Sequence, residues 1–225
     1  MATAKEIEKM VKNFSEWELG GGKFAGAGQE VDVLNSWREK SGLAFNLKNS
    51  VQVRYVGWEK QKLGVNLGYS DDATTETAHK MARWFFRRQD GSTRKVRYGE
   101  LIAMGYGTAP SFYKYAVTTI GINLENTGTP SYEWRLIGPP GTAGQPVKTG
   151  QWLAIWNEVE DGFLIYFDRD AGVDLGWPDS KTWTEQIIGL AWKAAKAAAK
   201  AYVESYAQGE GAGTGGASRQ GSGLA

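Results

Sequence analysis

Catalysis usually draws on a nucleophile, a base or a metal, and the 225-residue chain is poor in all three: it has one histidine, His79, and no cysteine. The lack of Cys excludes a disulfide framework, a thiolate nucleophile and a thiolate-bound metal. His79 sits in a polar stretch, and no G-x-S-x-G motif accompanies it, so a Ser-His-Asp triad is not expected. Acidic pairs occur at Asp71-Asp72, at Asp168 and Asp170, and at Glu158 with Glu160-Asp161. Carboxylates this close in sequence mark turns more often than acid–base pairs. The glycines Gly20 to Gly22 lack the Lys-Ser/Thr that would complete a phosphate cradle. No catalytic residue, metal site or cofactor is expected, and the chain reads as a non-enzyme.

Binding chemistry has more to work with. GVNLGYSD (64–71) and GVDLGWPD (172–179) each place an aromatic ring, Tyr69 or Trp177, two residues before a carboxylate, Asp71 or Asp179. A sugar uses such a pair: a flat apolar surface for its C–H face and a fixed acceptor for its hydroxyls. A third stretch, GINLENTG (121–128), keeps the polarity but has Glu125-Asn126 where the ring would be, giving two usable sites and one eroded one. The candidate ligand-binding residues are Asn66, Tyr69, Asp71, Asn123, Asp174, Trp177 and Asp179. A structural alternative stands beside this, in which Trp177 fills the mouth of a barrel and Asp179 caps the turn after Pro178.

These stretches belong to a repeat. Gly64, Gly121 and Gly172 head Gly-β-branched-Asx-Leu segments, VRYGELIAM (96–104) matches VKTGQWLAI (147–155) with LKNSVQVRY (47–55) as a looser copy, and Trp84, Trp134 and Trp183 follow. The landmarks recur at about 50 residues, the period of a supersecondary unit. Short runs rich in β-branched and aromatic residues, such as FYKYAVTTI and FLIYF, alternate with Gly, Pro, Asn and Asp and read as about four strands per unit. Within each triplet the apolar pair (Val65 and Leu67, for example) faces inward and the Asx outward. Three such units resemble a β-trefoil over residues 45–184. The Q-x-W signature of ricin-type lectins is not present, since Arg83-Trp84, Glu133-Trp134 and Thr182-Trp183 stand there. The resemblance is one of fold, and it implies an all-β core of three units, with function left to the site.

Helices flank this core. Ile7, Met10, Val11, Phe14 and Trp17 recur at three- and four-residue steps, predicting an amphipathic helix over 3–18 that stops at the glycines. Residues 182–207 predict a second, Ala- and Lys-rich helix with Ile188, Trp192, Ala195, Ala199, Tyr202 and Tyr206 on one face. The expected division is 1–44 helix and linker, 45–184 trefoil, 185–208 helix and 209–225 Gly-rich tail. The helices can pack on each other, on the barrel, on a second copy of the chain or, through the lysine-lined C-terminal helix, on lipid.

A net charge of +1 gives no global attraction to nucleic acid, and RRQDGSTRKVR (87–97) reads as a hydrated hairpin. The charged N-terminus lacks a signal-peptide core and no run is long enough to span a bilayer, so the expected location is cytoplasmic, with any release by a non-classical route. The leading expectation is a lectin-like module for a glycan or glycoprotein, multivalent through a homo-oligomer. The alternative is an assembly or membrane-directed toxin-type protein working through its terminal helices.

Overall fold

The computed structural model describes residues 3–21, 27–31, 45–62, 64–107, 111–117, 123–179, 182 and 192–209. Among these residues, twelve strands form one curled antiparallel sheet, joined by helices. The strands are β1 (Trp17–Gly20), β2 (Asn46–Asn49), β3 (Arg54–Gly57), β4 (Gly68–Tyr69), β5 (Trp84–Arg88) and β6 (Ile102–Tyr106). They continue as β7 (Phe112–Tyr115), β8 (Leu124–Thr127), β9 (Trp134–Ile137), β10 (Trp152–Asn157), β11 (Gly162–Tyr166) and β12 (Leu175–Gly176). The helices are α1 (Ala4–Asn13), α2 (Thr75–Lys80) and α3 (Trp192–Ala207).

Pairing runs β2-β1-β10-β9-β6-β5, and Phe45, just before β2, bridges Trp84 at the start of β5 through two bonds of 2.8 Å. From β2, β6 and β10 hang three similar two-strand additions, β3-β4, β7-β8 and β11-β12.

The core is organised in threes. Trp17, Trp84 and Trp134, each opening a strand and each buried, donate their indole N–H to the carbonyls of Leu164, Val56 and Tyr113 at 2.7, 2.8 and 2.8 Å. A buried indole keeps its N–H only if an acceptor waits for it, so these bonds fix the large rings in one orientation. Leu67, Leu124 and Leu175 are buried around the same space, a void of only about 20 Å³. At another point of the core Val31 donates to Val147, Val147 to Val96 and Val96 back to Val31, at 2.8, 2.8 and 2.9 Å. All three valines are fully buried.

The start of the sheet differs from its expected boundaries. The N-terminal helix stops at Asn13, opened by a Thr3–Glu6 capping box, and Trp17 is drawn into β1 by its bond to Leu164 rather than continuing the helical face. The sheet therefore begins inside the segment expected as helix and linker. Val31, where Leu47 was expected, joins Val96 and Val147 in the ring of bonds, and Trp17 makes the same N–H-to-carbonyl bond as Trp84 and Trp134; Trp183, Gly121 and Ile122 lie outside the described residues.

The described part of the C-terminal helix starts at Trp192, and Ile188 and the tail from residue 210 lie outside the described residues. Ala195, Ala199, Val203 and Tyr206 are buried within the chain, and α3 packs against α1. Small alanines let the helix approach closely, and the Tyr206 hydroxyl accepts from the Gly138 N–H (3.1 Å) and lies 2.6 Å from Thr142 Oγ1. Lys196 and Lys200 pair with Glu160 and Asp161 at the β10–β11 turn, at 3.1 and 2.7 Å. Among the described residues, no helix is long and apolar enough to cross a membrane.

Candidate functional site

Most of the residues expected to bind ligand hold turns. Asn66 Oδ1 accepts from the Gln61 N–H at 3.0 Å, and Gln61 Nε2 reaches the Leu67 carbonyl at 2.7 Å. Asp174 repeats the arrangement, accepting from the Arg169 N–H at 3.2 Å while Arg169 Nε reaches the Leu175 carbonyl at 2.9 Å. Asn123, at φ 58°, has the left-handed backbone that Asn tolerates, and its side chain bonds that of Tyr115. Asp179 is exposed and accepts from the Thr182 N–H at 2.8 Å. Asp71 is exposed at a cleft described below.

The two rings are engaged with other rings. Trp177 is half-buried, stacked on Trp134 at 6.2 Å and edge-on to Tyr115 at 6.0 Å. Tyr69 is edge-on to Tyr166 at 6.2 Å and donates its hydroxyl to the Asp174 carbonyl at 3.2 Å. Burial, with the nearby carboxylates Glu16 and Asp174, pushes the Tyr69 hydroxyl well above the usual tyrosine range. Neither ring lies open as a platform.

Tyr166 and Tyr115 occupy matching positions, each two residues beyond the carbonyl that a core tryptophan binds. At both, a buried or half-buried glutamate immediately before the core tryptophan receives the backbone N–H: Glu16 from Tyr166 at 2.8 Å, and Glu133 from Tyr115. An asparagine supports each carboxylate, Asn49 for Glu16 and Asn157 for Glu133 (2.9 Å). Burial raises the Glu16 carboxyl above its usual range, with the bonds from Tyr166 and Asn49 opposing the shift.

The third place with this geometry is built differently. Trp84 binds the Val56 carbonyl, so Trp58 holds the position of Tyr115 and Tyr166, Arg83 that of the glutamates and Tyr106, paired with Trp84, that of the asparagines. Asn126, which pairs with Tyr113 as Tyr69 pairs with Val56, stands where the facing ring should be. With no ring opposite it, Trp58 is 60% exposed. The Tyr106 hydroxyl lies near the Trp58 backbone N–H, and burial pushes it above the usual tyrosine range.

A cleft of about 460 Å³ results, lined by Trp58, Lys80, Met81, Arg83, Tyr106 and Asn126 among others. Its size falls within the range of small-molecule sites. The floor is close-packed: a Cβ at Gly57 would come within 2.5 Å of Met81 Sδ and 2.8 Å of Tyr106 Oη. Lys80 ends α2, a helix capped by Thr74, and Arg83 is held by a 2.8 Å bond from its N–H to Met81 and a 3.0 Å bond from Gly107 to its carbonyl. Both cationic side chains are exposed, and neither forms an ion pair with a described carboxylate.

A second cleft of about 620 Å³ shares Trp58, Lys80 and Met81 and is lined by Glu59, Tyr69, Asp71, Asp72 and Glu76. The Asp72 carboxylate binds the Thr74 hydroxyl (3.1 Å), the Thr74 N–H (3.2 Å) and the Thr77 hydroxyl, and these bonds hold it below the usual carboxylate range. No group of three or more His, Cys, Asp or Glu among the described residues could hold a metal ion. Trp58 was not among the residues singled out from the sequence, and its signal was faint: a tryptophan in a Gly-Trp-Glu-Lys stretch outside every recurring motif. Comparison with protein-family models, curated proteins and solved structures finds no match to this chain.

Proposed function

We propose that the chain is a β-trefoil recognition module without catalytic activity, and that it binds carbohydrate in the cleft beside Trp58. The trefoil reading is supported by the three tryptophan–carbonyl bonds, the cyclic bonds among Val31, Val96 and Val147, and the Phe45–Trp84 bridge that links the two ends of the strand order. A structure determination relating Trp17, Trp84 and Trp134 by successive rotations of one third of a turn supports it, and any other relation removes it.

The observation that carries the binding reading is the exposed Trp58 indole, at the one described position of its kind without a facing ring. An indole face can lie against the C–H side of a pyranose, while Asn126, Tyr106 and the neighbouring Asp71 supply polar atoms for hydroxyls. The expected test is a glycan array with the wild-type chain and Trp58→Ala. Signal on some saccharides that disappears in Trp58→Ala, with the melting temperature unchanged, supports the reading; undiminished signal removes it. Multivalency would have to come from several copies of the chain, because the rings at the other two positions are engaged.

A further inference from the structure

We infer that the ligand of the Trp58 cleft carries an anionic group, a carboxylate or a sulfate, and that Arg83 and Lys80 receive it. This rests on the reading of the cleft as a saccharide site and names the saccharide class as acidic.

The reason lies in what the cleft has in place of a built-in anion. At the two matching positions a glutamate, Glu16 or Glu133, sits before the core tryptophan and is consumed by the N–H of Tyr166 or Tyr115. At the cleft this residue is Arg83, and the neutral Tyr106 hydroxyl, not a carboxylate, lies near the N–H of Trp58. The exchange leaves an exposed guanidinium at the cleft wall, with the exposed Lys80 lining the same cleft and no ion pair from either to a described carboxylate. A guanidinium offers two parallel N–H donors, matched to the two oxygens of a carboxylate or sulfate. The indole of Trp58 between the two clefts would take the sugar ring that bears the anion.

The acidic residues on the other side sharpen the orientation. Glu59, Asp71 and Glu76 line the second cleft. They repel an anionic group placed there and accept hydroxyls, so the charged end of a saccharide is directed to the Arg83 side.

Calorimetric titration of the full chain with three tetrasaccharides tests this: one bearing uronate carboxylates, one bearing sulfates and one neutral. The proteins are wild type, Trp58→Ala and the double variant Arg83→Gln/Lys80→Gln; these side chains are exposed, and equal melting temperatures confirm that each variant folds. The expected result is that at least one acidic tetrasaccharide binds roughly tenfold more tightly than the neutral one, as a charge-assisted pair implies. This advantage should vanish in the double variant and shrink as salt is raised. The comparison of carboxylate with sulfate says which anion fits. Equal affinity for neutral and acidic ligands, or an acidic preference that survives in the double variant, overturns the inference while leaving the saccharide site standing. Absence of binding to all three overturns both.

Discussion

The ring-paired positions and the open one use the same backbone frame to opposite ends. Where Tyr69 meets Tyr166 and Trp177 meets Tyr115, each surface ring covers another, and a glutamate–asparagine pair takes the backbone N–H beneath. Where Asn126 faces Trp58, the ring, the glutamate and the asparagine have all been exchanged, and a cleft replaces the contact. The frame itself, a core tryptophan bonded to a strand carbonyl, is unchanged in all three places. Stability is therefore expected to reside in the repeated frame, and the proposed binding site lies where the surface layer departs from it.

Substitutions at paired and unpaired positions should separate these roles. The largest effect is expected from Trp134→Ala, which empties a fully buried indole site and leaves the Tyr113 carbonyl without its donor; a loss of about 3–5 kcal/mol is expected in denaturant unfolding. Trp58→Ala, at an exposed ring, should change stability by no more than about 0.5 kcal/mol.

Next comes the residue before the tryptophan. Glu133→Ala strands the Tyr115 N–H and the Asn157 side chain, both bonded to its carboxylate, and should cost about 1–3 kcal/mol. Arg83→Ala should leave the melting temperature nearly unchanged, because its side chain is exposed. A large loss there would mean that Arg83 supports the fold as the glutamates do.

Grafting the missing ring is a subtler change. Asn126→Tyr should place an aromatic side chain against Trp58 as Tyr69 lies against Tyr166, and raise stability by about 0.5–1.5 kcal/mol.

The smallest effect is in pH dependence. Burial raises the Glu16 carboxyl in the folded chain above its ordinary 4.5, so folding favours its protonated form. The resulting contribution to stability is fully present below the unfolded pKa and is lost as pH rises through the folded one. Glu16→Gln should flatten this part of the stability–pH curve, measured by urea unfolding from pH 4 upward; an unaltered curve would show that the bonds from Tyr166 and Asn49 cancel the effect of burial.

Much of the frame was legible because it recurs. Leu67, Leu124 and Leu175 announced a buried position by spacing alone, and all three are buried. Trp84 and Trp134, a second recurring landmark, are buried as well, and each opens a strand, which their spacing did not announce. The first unit was misread because Trp17 falls at a helical step from Phe14 and Val11, and a local period cannot register that its indole is bonded to Leu164, distant in sequence. The same misreading hid Val31 behind Leu47. For the site, the missing ring at Asn126 is visible in the sequence as an eroded copy. Its consequence is not, because the ring it uncovers, Trp58, belongs to another part of the chain and shows no matching motif around it. A gap in a pattern becomes a cleft only when the opposite wall is known.

The most direct measurement is the binding of an acidic and a neutral tetrasaccharide to Asn126→Tyr beside the wild type, with melting temperatures recorded on the same samples. If a ring laid over Trp58 closes the site, the variant melts no lower than the wild type and loses saccharide binding. A variant that folds equally well and binds with undiminished affinity would contradict the account.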